Sequence, residues 1–239
     1  MIADGSDGGG DLAIVVGASG GIGRALCAQL ERDCPELTLC RLGRHEAVHL
    51  DLLDDTSLDA AREHVAELLL HRSLRVFIDA TGFLHGSGAQ PEKSWRMLDR
   101  EQLMYQFAIN AVGPALLMKH FLPLLPRQGR SVWATLSARV GSIGDNHLGG
   151  WYGYRAAKAA LNQLVRTASI ELRRQSPHAV CVALHPGTVA TRLTDPFAKA
   201  GLDVQTPEQA AERLLAVVSA LKPEDSGGFF DHRGRRLPW

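Results

Sequence analysis

Apolar and polar residues are grouped along this chain in two alternating rhythms. Residues 12–16 form a short unbroken apolar run, the pattern of a strand buried on both faces of a sheet. Residues 22–30 then repeat their apolar side chains at helical spacing. The alternation continues, predicting strands at 37–40, 48–50, 74–78, 131–136, 180–184 and 229–230, and helices at 56–70, 100–122, 152–174 and 207–221. Strand and helix in this order predict a parallel sheet covered by helices. Only residues 41–47 separate the second and third strands, whereas a crossover normally takes about a dozen residues. Either the helix there is reduced to a turn, or one strand is misplaced. Residues 1–10, MIADGSDGGG, predict a disordered tail ahead of a single domain over 11–239.

Charge narrows the picture. Lys and Arg total 26, as do Asp and Glu, so no basic surplus points to nucleic acid or an anionic membrane surface. The sequence shows no long apolar run and no basic-then-apolar leader, and a soluble cytoplasmic protein without a membrane span is expected. Cys27, Cys34, Cys40 and Cys181 lack C-x-x-C spacing and read as reduced, mostly buried thiols. The ten histidines form no H-x-x-x-H or Cys/His cluster, so no metal site is expected.

The first strand runs into Gly17-Ala18-Ser19-Gly20-Gly21-Ile22-Gly23, and a helix follows. Glycines let the backbone approach a pyrophosphate, whose charge meets the free N–H groups of the helix N-terminus. Gly17, Ser19, Gly21, Ile22 and Gly23 are therefore candidate nucleotide contacts, although the spacing is G-x-x-x-G-x-G and not G-x-G-x-x-G. At the end of the second strand an acidic residue would suit the ribose 2′-hydroxyl of NAD. Arg41 stands there instead, with Arg44 three residues on, and a guanidinium suits the 2′-phosphate of NADP. Asp51, followed by Leu52, is placed either to meet an adenine amino group or to cap the next helix.

Tyr154 and Lys158 lie four residues apart near the start of a strongly patterned helix and so project from one face. A tyrosine with pKa about 10 is a poor acid–base catalyst at neutral pH. A neighbouring ammonium and an oxidised nicotinamide would favour its phenolate and bring that value nearer 7.

With these segments the chain resembles a short-chain dehydrogenase/reductase over residues 11–239. The residues that carry the resemblance are Gly17 to Gly23, Asn110 in Phe-Ala-Ile-Asn-Ala-Val-Gly-Pro, Tyr154 with Lys158, and Pro186-Gly187-Thr188-Val189-Ala190-Thr191. Ser-Ala-Arg-Val-Gly-Ser-Ile from Ser137, Gly-Gly-Trp-Tyr-Gly-Tyr ending at Tyr154, and the closing Gly-Phe-Phe-Asp at Asp231 are similar to the C-factor and sniffer-type carbonyl reductase branch. The resemblance implies a single Rossmann-type, doubly wound parallel α/β sheet of about seven strands with helices on both faces. It also implies an NADP(H)-dependent oxidoreductase acting on a small carbonyl or alcohol. Tyr154 would be the general acid/base, and Lys158 would hold the nicotinamide ribose and lower the tyrosine pKa. Asn110 would position a relay water, and Pro186, Gly187, Val189 and Thr191 would wrap the nicotinamide. The alternative is an NADP(H)-binding signalling or regulatory protein of C-factor type with little turnover.

Three departures from the family pattern stand out. The usual Asn-Asn-Ala-Gly turn reads Asp79-Ala80-Thr81-Gly82, whose Ala80, Thr81 and Gly82 are expected beside the adenosine ribose. Counting back from Gly141, the catalytic-serine position falls on Ala138, with Ser137 one residue earlier. Ser137 serves if the strand ends in a bulge or turn, and Ser142 is the fallback donor. The crossover after the second strand is abbreviated. Residues 193–202 fall where the family places a mobile lid, or else form an ordinary surface loop. Trp151 and Tyr152 line the cleft or pack between subunits. His85 and His147 read as surface residues near the cleft mouth. The helices at 102–122 and 152–174 are apolar on more than one face, as expected of a homodimer or homotetramer.

Overall fold

The computed structural model describes residues 10–86, 88–197 and 203–239. Its first half comprises β1 (Gly10–Val16), α1 (Gly21–Asp33), β2 (Thr38–Gly43), β3 (Val48–His49), α2 (Asp55–Leu68) and β4 (Arg72–Asp79). The second comprises α3 (Arg100–Phe107), α4 (Gly113–Phe121), β5 (Ser131–Leu136), α5 (Tyr152–Gln175), β6 (Ala179–His185), β7 (Thr188–Val189), β8 (Val204–Gln205), α6 (Pro207–Ala220) and β9 (Phe229–Asp231). Seven strands form a parallel sheet in the order β3-β2-β1-β4-β5-β6-β9. This is the doubly wound α/β architecture expected. The order reverses between β1 and β4, and the crevice at such a switch point is where open α/β sheets bind ligands.

Side chains alternate across the sheet and bury both faces. Leu12, Ile14, Phe77 and Trp133 meet Leu58 and Val65 of α2, Phe121 of α4 and Leu161 of α5. Ala13, Val15, Ile78 and Val182 meet Leu26 and Leu30 of α1 and Leu214 of α6. Phe77 and Trp133 stack at 3.9 Å on neighbouring strands, side by side in register. Burying each large apolar side chain contributes about 1.5–3 kcal/mol.

Four details differ from the sequence expectation. Gly10 belongs to β1, so the strand begins inside the stretch read as a tail, the rest of which lies outside the described residues. β2 continues to Gly43, and the crossover to β3 is reduced to a turn closed by the N–H groups of Glu46 and Leu50 on the Gly43 carbonyl, at 3.3 and 3.2 Å. The long middle helix is broken by a π-turn at Ala108–Val112 that carries Asn110. β7 and β8 pair as a small separate ladder, formed by contact between loops. The stretch Arg100–Leu124 is long and apolar enough by composition to cross a membrane. In this fold α3 and the π-turn within it pack against α5.

Candidate active site

A cleft of about 750 Å³ runs along the C-terminal ends of the strands from the glycine turn to Tyr154 and Lys158. At the glycine-turn end, Gly17, Ser19, Gly21 and Ile22 line the wall. Gly17 has φ +76°, a conformation that side chains resist. Gly23 lies behind them: a Cβ there would sit 2.2 Å from the Gly17 carbonyl, so the helix closes directly on the turn. The Gly20 N-cap supplies no side-chain acceptor, and no acidic residue occupies the first turn of α1. The N–H groups there are suited to an anion. Across the cleft, the Thr191 methyl would lie 2.7 Å from a Cβ on Gly21, so the two walls approach closely. This bare cradle fits a dinucleotide pyrophosphate.

The strand extension changes which arginine borders the cleft. Arg41 lies within β2 opposite Val15, and its guanidinium pairs with Glu31 of α1 at 2.5 Å, away from the cleft. Arg44, beyond the strand end, lines the cleft instead. Arg41, expected at the cofactor, is therefore not among the residues that border the cleft. The strand expected to end at Cys40 continues through Leu42 to Gly43. Asp51 and Leu52 line the cleft nearby, and the Asp51 carboxylate accepts from the Leu53 N–H at 3.0 Å, as a turn aspartate does. Ala80, Thr81 and Gly82 form the facing wall. Their turn holds without the family's asparagines, because Asp79 Oδ1 accepts from both the N–H and hydroxyl of Thr81, at 3.0 and 2.6 Å.

At the other end Tyr154 and Lys158 share one face of α5, with the ammonium 5.9 Å from the phenol ring centre. Lys158 donates to the Leu136 carbonyl at 2.9 Å. Burial pushes the Tyr154 phenol well above its ordinary value, so by itself the chain keeps this group protonated. Burial also pulls Lys158 down to about 8, opposed by the charge of Asp79. Asn110 is fully buried behind them. Its amide gives a hydrogen bond to the Phe83 carbonyl at 2.7 Å and accepts one from the Phe83 N–H at 3.0 Å, fixing the chain that leaves Gly82. The π-turn sets Asn110 to face this loop, and Gln106 supports it at 2.8 Å.

Ser137 borders the cleft, but its hydroxyl donates to Asn162 Oδ1 of α5 at 2.7 Å. The strand ends at Leu136 without a bulge, and Ala138, extended at φ −139° and ψ 143°, leads into a tight turn at Arg139–Gly141. The single hydroxyl hydrogen of Ser137 is thus engaged within the protein. Ser142 accepts from the Asp145 N–H at 3.2 Å and donates to the Trp239 carbonyl, also at 3.2 Å.

Two groups that carry no sequence pattern hold the start of α5. Trp151 precedes the helix at φ 53°, a left-handed conformation uncommon for a large residue. Its N–H reaches the Glu92 carbonyl at 2.5 Å, and the buried Glu92 carboxylate accepts from the Gly153 N–H at 3.2 Å. Arg155 ties down the preceding loop through the carbonyls of Gly150, Gly149 and Val140 at 2.9, 3.1 and 3.1 Å. Pro186 and Thr191 line the cleft, whereas Gly187 and Val189 lie behind it. Gly187 turns at φ +82°, and Gln205 of β8 steadies the Pro186 carbonyl at 2.9 Å. The segment after Thr191 bends back through Phe197, whose ring meets Trp151 at 5.1 Å and His85 at 5.3 Å. Residues 198–202 of the expected lid lie outside the described residues. His85 also contacts the Arg192 carbonyl at 3.0 Å, so it bridges two loops and is not a bare surface residue.

Comparison with known proteins agrees with this architecture. Residues 17–227 match the family model described as enoyl-(acyl carrier protein) reductase. A 1-hydroxy-2-glutathionyl-2-methyl-3-butene dehydrogenase of Rhodococcus sp. (strain AD45) is 31% identical over 95% of this chain and 98% of its own. The C-signal protein of Myxococcus xanthus is 38% identical over 59% of this chain and 81% of its own. The NADPH-bound carbonyl reductase from chicken fatty liver superposes with a TM-score of 0.83 at 26% identity, covering 98% of this chain and 97% of that one. The fold is shared equally by the carbonyl reductase Sniffer of D. melanogaster, with a TM-score of 0.83 at 23% identity over 96% of this chain and 99% of that one. These matches establish the family: the chain belongs to the short-chain dehydrogenase/reductase family of oxidoreductases.

Proposed function

We propose that this protein is an NADP(H)-dependent reductase of small carbonyl compounds, with Tyr154 as the proton donor. The observation that carries the reading is the placement of Tyr154 and Lys158 at one end of a cleft whose other end is a bare glycine turn. Bound nicotinamide would supply the hydride. Tyr154, kept protonated by burial, gives its proton to the carbonyl oxygen as that oxygen gains charge. Lys158 stabilises the phenolate left behind and holds the nicotinamide ribose, and Asn110 fixes the loop beside it. Arg44 takes the 2′-phosphate, with Asp51 and Leu52 at the adenine. The exposed side chains of Met104 and Ile170 on α3 and α5 support assembly of two or more copies through these helices. The free thiols Cys27, Cys40 and Cys181, all buried, suit a cytoplasmic setting.

Purified protein is expected to consume NADPH with a panel of aldehydes and ketones, and Tyr154→Phe to abolish that turnover while leaving NADPH binding intact. NADPH binding with no turnover on any carbonyl would favour a second reading, an NADP(H)-binding regulatory protein. Two observations support that alternative: the similarity to the C-signal protein and the engagement of the Ser137 hydroxyl with Asn162.

A further inference from the structure

We propose that Asp79 is the buried counter-charge of Lys158, a positioning residue that keeps the ammonium protonated and so sets the pH range of the α5 acid–base pair. The consequence for catalysis rests on the function proposed above, whereas the charge coupling itself does not.

The geometry singles out this carboxylate. Asp79 ends β4 at 0% exposure, and in the sheet it lies opposite Thr135, the residue before the Leu136 whose carbonyl accepts from Lys158. Its Oδ1 is held by the Thr81 N–H and hydroxyl, while its Oδ2 is buried without a hydrogen-bond partner. The turn it anchors leads to Gly82, where a Cβ would lie 3.8 Å from Lys158 Nζ. Lys158 is itself only 2% exposed. A buried ammonium and a buried carboxylate around one turn each lower the other's desolvation cost. They share no hydrogen bond among the described residues, so the coupling acts through space.

Among the described residues, no third charge acts on the pair. Val16 of β1 and Thr135 of β5 flank Asp79 in the sheet, and Asn110 faces Gly82 from the π-turn. Tyr154, protonated, is the other titratable group on the α5 face. Burial holds the Asp79 carboxyl above its ordinary range, a shift that the Thr81 bonds and the charge of Lys158 offset in part, and Asp79 in turn offsets part of the lowering that burial imposes on Lys158. An asparagine at this position could hold the turn equally well but would give Lys158 no charge. The carboxylate therefore adds a function that the turn does not need.

The test is a titration of Lys158 in the cofactor-free protein by NMR of ¹³Cε-labelled lysine, assigned with Lys158→Met. Asp79→Asn keeps the acceptor for Thr81 and is expected to lower the Lys158 midpoint by about one pH unit or more. Thr81→Val removes the hydroxyl bond that favours the ionised carboxyl and is expected to lower the midpoint by a smaller step. It also serves if Asp79→Asn folds poorly. Midpoints unmoved in the folded variants would overturn the proposal. With a substrate in hand, the alkaline limb of the kcat profile is expected to move down by the same step as the NMR midpoint. Absence of turnover in every variant would count against the proposed reaction alone, because the NMR midpoint is read without it.

Discussion

The hydroxyl of Ser137, just past the end of β5, and the side-chain oxygen of Asn162 on α5 are joined by a 2.7 Å hydrogen bond. This bond turns the hydroxyl toward the helix, while Ala138, in extended conformation, presents the opposite face. Ser137→Ala is expected to act mainly on stability, with a loss of about 1–2 kcal/mol in urea unfolding from the orphaned amide oxygen. Ala138 is not among the residues that border the cleft, so Ala138→Ser is expected to leave kcat with a carbonyl substrate little changed. A kcat that falls more than tenfold in Ser137→Ala would return the catalytic role to Ser137.

Cofactor choice is expected to follow Arg44. Arg44→Asp should weaken NADPH binding at least tenfold, on the order of 1.4 kcal/mol, while changing NADH binding little. Arg41→Asp, which breaks the exposed pair with Glu31, should leave the NADPH/NADH ratio unchanged. Fluorescence titration of the two cofactors measures both. The reverse pattern would restore Arg41 as the selector.

These two cases show what was legible in the sequence. The main-sheet strands were readable because parallel strands buried on both faces are continuously apolar, and α1, α5 and α6 because their apolar residues recur at helical spacing. The glycine turn, Asn110, Tyr154 and Lys158 sit at or beside the ends of such elements and were placed with them. The end of β2, and with it which arginine borders the cleft, was not readable because it is set by pairing with β1 and no local residue marks it. β7 and β8 were unreadable, since a two-residue ladder depends on the loops that meet. Glu92 was missed for a related reason: a lone carboxylate in a loop acquires a role only when a distant helix end arrives beside it.

Glu92 offers a test of that role. Its carboxylate accepts from the first turn of α5 where Trp151 supplies no side-chain cap. Glu92→Ala is expected to lower stability by about 1–2 kcal/mol, through loss of the cap and of a favourable charge at the helix N-terminus. It should also reduce kcat more than it changes NADPH affinity, because Tyr154 lies one residue beyond Gly153. Thermal unfolding and single-turnover rates measure the two effects, and an unchanged rate would confine Glu92 to stability.

Acid sensitivity is expected to trace to His185. Burial beside His232 lowers it from 6.5 to about 4. The unfolded chain takes up this proton first as pH falls, so the stability it contributes is intact above about pH 6.5 and is lost progressively down to about pH 4. At about 1.4 kcal/mol per unit the loss is roughly 3 kcal/mol. His185→Asn should flatten the dependence of urea midpoint on pH over this window. An unaltered slope would assign the acid loss to other groups.

The strand order also bears on how the chain reaches this state. Each pairing of the main sheet is parallel, so no two neighbouring strands are joined by a hairpin. β1 flanks the nucleotide turn but waits for residues 72–79 to cover its second edge, and β6 waits for Phe229–Asp231. Non-local pairings of this kind place folding in the slower part of the single-domain range and leave strand edges open meanwhile. During synthesis the cofactor half therefore has its partners well before the half that carries the tyrosine, and slower translation or lower temperature favours recovery of the native protein.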